Sequence, residues 1–328
     1  LRLGSVSKVL TVLALHRMLA QRGLSLEARI AELPGLEALA RKQLGQARLV
    51  DLLCHRAGFP RRIDIRHDDD ANPLAERVLS RSLRGDDGPA QPGDLLRYLL
   101  VSDFDCRPTS ETAYSNEGFV CLGELLSWLR FGDASRYEDA VKEAFELSES
   151  PLLGSGRCAA RLRGEAPAHP SLPSWESARF GLREGEDALS LVPYRYNGAF
   201  LGPAAGWAIS ASHTLRILAP RLPRQATSNL PRGSLDARYG LFVAERGYMK
   251  CEKRTSSATP IARFQHNGRL QGGCALLVHQ CPFPTNEADP VTMLVALNTL
   301  YPLEYERDGR LLMAASLDTV LASLSVPR

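Results

Sequence analysis

Apolar residues recur at helical spacing through the first half of the chain and at strand-like spacing in its last third. Over residues 5–21, Val9, Leu10, Leu13 and Leu19 build an apolar face, Ser5 occupies an N-cap or first-turn position, and Gly23 closes the end. The segment is apolar on much of its circumference, which predicts a central, buried helix. Similar patterns predict helices at 36–44, 48–55, 74–82, 93–100, 117–130 and 136–146. Prolines at 151, 167, 170, 173 and 193, with little periodicity between them, predict an irregular stretch over 151–200. Beyond it, 239–245, 261–266, 273–279 and 291–298 are short apolar or alternating runs bounded by turns, and read as strands. Residues 311–325 read as a closing helix. Neither an internal repeat nor a low-complexity tract interrupts this order.

Composition narrows the functional classes. With 328 residues, 44% hydrophobic and 23% charged, the chain can bury a full core, and disordered and fibrous classes drop out. A net charge of +3 gives no ground for a nucleic-acid partner. Arg61, Arg62 and Arg66 cluster, but Asp68, Asp69 and Asp70 follow at once, which reads as a solvated loop rather than a metal site around His67. No apolar run approaches the ~18 residues needed to span a bilayer; the longest is Val9 to Leu15. The seven cysteines (54, 106, 121, 158, 251, 274 and 281) are odd in number and lack a C-x-x-C pair. That argues against a disulfide framework and favours a reducing, cytoplasmic compartment. The first residue is Leu1, so a periplasmic or secreted location remains open if a signal peptide was removed upstream. Nothing in the sequence sets an oligomeric state.

Three short motifs carry candidate chemistry. In Ser5-Val6-Ser7-Lys8, a spacing of three on a helix brings the lysine amine toward the serine hydroxyl. A serine needs such a base to act as a nucleophile, and burial would lower the lysine pKa to supply one. The plain alternative is a helix cap followed by a surface lysine. In Tyr114-Ser115-Asn116, a phenol can move a proton and an asparagine can hold a substrate carbonyl; the alternative is a turn leading into an N-cap. In His266-Asn267-Gly268, a strand glycine can admit a ligand closely, but Asn-Gly is also the strongest short hairpin signal. On local grounds the hairpin is the better reading.

Taken in order, the three motifs resemble the S-x-x-K, Y-x-N and K-T-G signatures of the serine β-lactamase and penicillin-binding (DD-peptidase) superfamily. Y-S-N points to its class C-like branch. Supporting segments are Leu52-Leu53-Cys54-His55-Arg56-Ala57-Gly58-Phe59, Pro203-Ala204-Ala205-Gly206-Trp207 with Ser210-Ala211-Ser212, and Tyr239-Gly240-Leu241. The resemblance spans nearly the whole chain. It implies an α/β (α+β) fold in which an antiparallel sheet with flanking helices (1–25 and 205–328) faces a mostly helical lobe (26–204), with the active site between them. It implies Ser5 as nucleophile, Lys8 and Tyr114 as proton-handling partners, and an oxyanion hole from the N–H groups of Ser5 and Arg269. Asn116, His266 and Gly268 would then line the substrate site, the substrate being a small or short-peptide acyl compound. No metal or organic cofactor is required. Members normally carry two strands ahead of S-x-x-K, so the chain is expected to be a fragment or to leave one sheet edge bare. His-Asn-Gly replaces Lys-Thr-Gly; in the resembling families H-x-G is more typical of DD-peptidases and D-amino-acid-directed enzymes, while related esterases often use W-G-G, so the motif points away from β-lactamases. Trp207 and Cys121 are assigned to packing, and His55 to holding a turn.

Overall fold

The computed structural model of the protein describes residues 2–59, 74, 76–86, 89–147, 198–225, 235–249, 259–270, 273–282 and 289–297. The expected closing helix at 311–325, the basic-acidic stretch at 61–70 and nearly all of the irregular stretch at 151–200 lie outside them.

A single 3₁₀ turn, Gly4–Val6, runs straight into helix α1, Ser7–Arg22. Gly23 ends α1 with a φ of 63°, and the Leu24 N–H returns to the Leu19 carbonyl, satisfying backbone groups that a helix end leaves open. Val9, Leu10, Val12, Leu13, Leu15, Met18 and Leu19 are all buried, as an all-round apolar helix requires. The second central helix is α6, Asn116–Phe131, capped by the Ser115 hydroxyl, which accepts the Gly118 N–H at 3.2 Å. Around these two lie α2 (Gln43–Gln46), α3 (Leu49–Leu53), α4 (Glu76–Arg84), α5 (Asp94–Val101) and α7 (Tyr137–Phe145).

Two expectations change here. The helix expected at 36–44 is a 3₁₀ stretch, Glu37–Arg41, followed by the short α2. Asp105 receives the Gln43 and Leu44 N–H groups at 2.8 and 3.0 Å, so a tertiary contact starts a new turn where propensity alone would continue the old one. Conversely, helix α8 (Ala211–Leu218) forms where only a small-residue run was read; Ser210 caps it by accepting the His213 N–H.

The strands form one antiparallel sheet, in the order β1 (Leu235–Asp236), β2 (Leu241–Met249), β3 (Thr259–Leu270), β4 (Gly273–Pro282) and β5 (Val291–Leu297). The register corrects the hairpin reading of His266-Asn267-Gly268. These residues lie inside β3, opposite Leu277, Leu276 and Ala275, and the pairing runs on to Leu270 opposite Gly273. Ten paired positions with β4 outweigh the local turn preference of Asn-Gly. On its other side β3 pairs with β2 only as far as Phe242 opposite Gln265. Residues 266–270 therefore extend past β2, and the Gly4–Val6 turn packs against this end of β3.

Candidate active site

Residues 2–8 are fixed from outside the helix. Arg2 bridges Ala208, and the Leu3 N–H donates to the Trp207 carbonyl at 2.8 Å. Gly268 closes the other side. A Cβ on it would stand 1.8 Å from the Leu3 carbonyl oxygen and 3.1 Å from the Ser5 nitrogen, so only glycine lets β3 lie against the turn that carries Ser5. Val6, Ser7 and Lys8 are buried while Ser5 stays partly accessible.

Lys8 is fully enclosed, which excludes the surface-lysine alternative. Its Nζ donates to Asn116 Oδ1 at 2.7 Å, to the Ala204 carbonyl at 2.9 Å and toward Ser5 Oγ at 3.2 Å. Tyr114 Oη donates to Ser5 Oγ at 2.7 Å. Burial holds the Lys8 amine below the usual lysine range; the Tyr114 hydroxyl and the Glu117 carboxylate partly oppose this. The rings of Tyr114 and Phe119 lie 4.8 and 5.3 Å from Nζ and wall it off from water.

Counting protons around Nζ limits what the site can do. An ammonium has three N–H donors for three acceptors. A neutral amine has two, and Asn116 Oδ1 and the Ala204 carbonyl can only accept. The lone pair then has one place to point: at the Ser5 hydroxyl proton. The Tyr114 phenol can meanwhile donate to Ser5 Oγ, so every proton has a partner in a state without net charge.

The imidazole of His55 supports this arrangement from behind. It is buried, in a left-handed conformation with φ 57°. Its carbonyl accepts the Ala113 N–H at 2.9 Å and its Nδ1 accepts the Ser115 N–H at 3.2 Å. Its ring packs against Tyr114 at a 37° tilt with centroids 4.4 Å apart. Two hydrogen bonds and a ring contact thus clamp the segment that presents Tyr114 and Asn116. His266 is also buried, with Nδ1 against the Asn267 carbonyl at 3.0 Å. Burial, with the Lys8 charge adding to it, depresses both imidazoles to about 3, so both are neutral at physiological pH. Arg269 continues β3 opposite Cys274. Trp207 and Cys121 are buried in the core.

Sequence reading passed over two participants. Ala204 contributes only a backbone carbonyl, which no residue type signals. Glu117, buried in the first turn of α6 and accepting the Ser115 hydroxyl at 3.1 Å, resembles an ordinary N-terminal helix acid. Among the described residues, no group of three or more His, Cys, Asp or Glu side chains could hold a metal ion, and no helix is long and apolar enough to cross a membrane.

Searching curated proteins returned no match. Among solved structures, the class C β-lactamase of Rhodobacter sphaeroides is similar at 19% identity and a TM-score of 0.52, covering 99% of this chain and 85% of that one. The D-amino acid amidase of Ochrobactrum anthropi SV3, complexed with D-phenylalanine, is similar at 14% identity and 0.51, covering 91% and 85%. EstCE1, a hydrolase with promiscuous acyltransferase activity, is similar at 18% and 0.50, covering 92% and 80%. These likenesses show a β-lactamase/transpeptidase-like fold of helices and antiparallel sheet. The β-lactamase family model matches residues 1–317, a span that takes in all three motifs. The chain belongs to the β-lactamase family, within the serine β-lactamase and penicillin-binding superfamily.

Proposed function

We propose that the protein is a serine hydrolase acting through an acyl-enzyme on small esters, amides or D-amino-acyl peptides. The observation that carries this reading is Ser5 Oγ held between Lys8 Nζ at 3.2 Å and Tyr114 Oη at 2.7 Å. Ser5 Oγ attacks the substrate carbonyl carbon while its proton passes to the Lys8 lone pair. The carbonyl oxygen becomes an oxyanion, met by the Ser5 and Arg269 N–H groups. When the intermediate collapses, the bond to the leaving group breaks and Tyr114 delivers the proton that group needs. Water then attacks the Ser5 ester by the same route in reverse and releases the acid. Asn116 steadies the acyl side, with its Oδ1 already committed to Lys8. In this reading the chain divides into a sheet lobe (1–25 plus 205–328) and a helical lobe (26–204) with the site between them; Ser5 and Lys8 around the start of α1 meeting Tyr114 and Asn116 around the start of α6 support it.

The substrate ranking follows from His266. A neutral imidazole offers no fixed charge to a substrate carboxylate, unlike a lysine ammonium at that position. A nitrophenyl ester is therefore expected to turn over well and a penicillin poorly, and His266→Lys to raise kcat/KM for penicillin relative to the ester. Efficient penicillin hydrolysis by the native protein overturns the ranking while leaving the serine mechanism intact. The D-amino acid amidase among the similar structures supports the amide side of this reading.

The hydrolase reading itself is tested by intact mass after exposure to a fluorophosphonate. One phosphonyl adduct on Ser5, absent in Ser5→Ala, is expected. A native protein that takes no label is instead a catalytically silent relative that binds peptide or assembles with partners.

A further inference from the structure

Three residues from Lys8, on the same face of α1, lies Thr11. β-Branched residues are poor choices for a helix interior, so a fully buried threonine there calls for a reason beyond propensity. Its Oγ1 lies 2.7 Å from the Pro203 carbonyl and 2.7 Å from Tyr137 Oη, and Trp207 Nε1 donates to Tyr137 Oη at 2.9 Å. An indole N–H only donates and a carbonyl only accepts, so the direction of every proton is determined. Trp207 donates to Tyr137, Tyr137 to Thr11, and Thr11 to Pro203. The Ser7 carbonyl, at 3.4 Å from Oγ1, is a distant competitor for the Thr11 proton.

This chain of bonds grips one unusual turn at both ends. Over Gly202–Gly206 the backbone makes a π-helical turn in which the Leu201 carbonyl collects the N–H groups of Ala204, Ala205 and Gly206. The carbonyls of Pro203 and Ala204 are thereby free to face α1, the first toward Thr11 and the second toward Lys8. Gly123 of α6 makes room for the turn: a Cβ there would stand 2.2 Å from Pro203. Trp207, just past the turn, also donates its backbone N–H to Ser7 Oγ at 3.3 Å.

We propose that Thr11, backed by Tyr137 and Trp207, is a positioning residue for the reaction at Ser5: it holds the Ala204 carbonyl where it occupies one Lys8 N–H and so turns the amine lone pair toward the serine. This rests on the hydrolase reading above. Without the Thr11 hydroxyl, the buried Pro203 carbonyl loses its donor, the turn shifts to find another, and Ala204 moves with it. Lys8 then keeps Asn116 but loses the acceptor that stops it rotating. Losing a carbonyl that favours the charged amine also shifts proton affinity at a site already faced by Tyr114 and Glu117 from the α6 end, His55 from the loop after α3, and His266 from β3.

The test compares native protein with Thr11→Val, which has the same shape without the hydroxyl, Thr11→Ser, which keeps it, and Tyr137→Phe. Melting temperature, kcat and KM for a nitrophenyl ester, and the pH dependence of fluorophosphonate labelling at Ser5 are measured for each. Thr11→Val is expected to lose about ten- to a hundredfold in kcat with KM little changed, and to shift the acid limb of the labelling profile to lower pH. Thr11→Ser is expected to restore most of the rate and the native profile. Tyr137→Phe leaves the Thr11–Pro203 bond in place and is expected to fall between them. Thr11→Val that melts earlier yet keeps the native kcat and pH profile overturns the proposal, as does Thr11→Ser as impaired as Thr11→Val. If Thr11→Val fails to fold, a native kcat and profile in Tyr137→Phe overturns it. Absence of labelling in the native protein, by contrast, sinks the hydrolase reading itself.

Discussion

Lys8→Arg is expected to lower kcat/KM for a nitrophenyl ester by about 10³-fold, within the range attributed to a positioned proton acceptor. Two effects combine. A guanidinium stays protonated at any working pH and has no lone pair to offer Ser5. It is also larger than the amine it replaces, in a space fully enclosed by Tyr114, Phe119, Asn116 and Ala204. In the native protein, labelling of Ser5 is expected to rise with pH as the neutral fraction of Lys8 grows, and to level off below the ordinary lysine value of 10.5 because burial lowers the folded pKa. Stability has its own sign. The unfolded chain holds the Lys8 proton more tightly than the folded one, so the Lys8 contribution favours folding above 10.5 and declines as pH falls from there through the folded pKa. Activity and folding are thus opposed at this residue: the burial that makes the amine a base also costs stability at neutral pH. Turnover in Lys8→Arg within a few-fold of native would remove Lys8 from the mechanism.

Gly268→Ala is expected to cost about 10²-fold in acylation rate and about 1–3 kcal/mol in stability together. The added Cβ would meet the Leu3 backbone carbonyl oxygen at 1.8 Å, and neither has a flexible end that can swing away, so either β3 or the Gly4–Val6 turn must move. Both outcomes displace Ser5 from the strand end that carries Arg269. Gly132→Ala is the control. Nothing lies within 4 Å of a Cβ there, and only its φ of 68° resists the change, so stability alone is expected to fall, by about 1 kcal/mol. Native labelling rates in a folded Gly268→Ala would detach β3 from the reaction.

The contrast between these glycines shows which features were readable in advance. Gly23 and Gly132 follow apolar helical runs, and a left-handed C-cap is what that position calls for. Gly268 is a strand glycine with nothing in its neighbourhood to announce the Leu3 carbonyl. The Asn-Gly pair even argued for a turn, and was outweighed because β4 supplies partners for every residue from 261 to 270. The helix expected at 36–44 broke for the same kind of reason, when Asp105, some sixty residues away, took up two backbone donors.

From the sequence alone come the features set by neighbours a few positions apart. These are the buried α1, the capped α6, the four longer strands, and the placing of Ser5 and Lys8 on one face by a spacing of three. Their physics is local, because helical period, cap chemistry and turn residues act within one or two turns of chain. The tertiary structure decided what local spacing cannot reach: a tyrosine 109 residues away brought to 2.7 Å from Ser5, and a carbonyl 196 residues away brought to 2.9 Å from Lys8. It also set the direction in which Lys8, His55 and His266 are shifted, toward their neutral forms. A lysine or histidine reads the same in sequence whether exposed or enclosed, and only packing removes the water that favours its charged form.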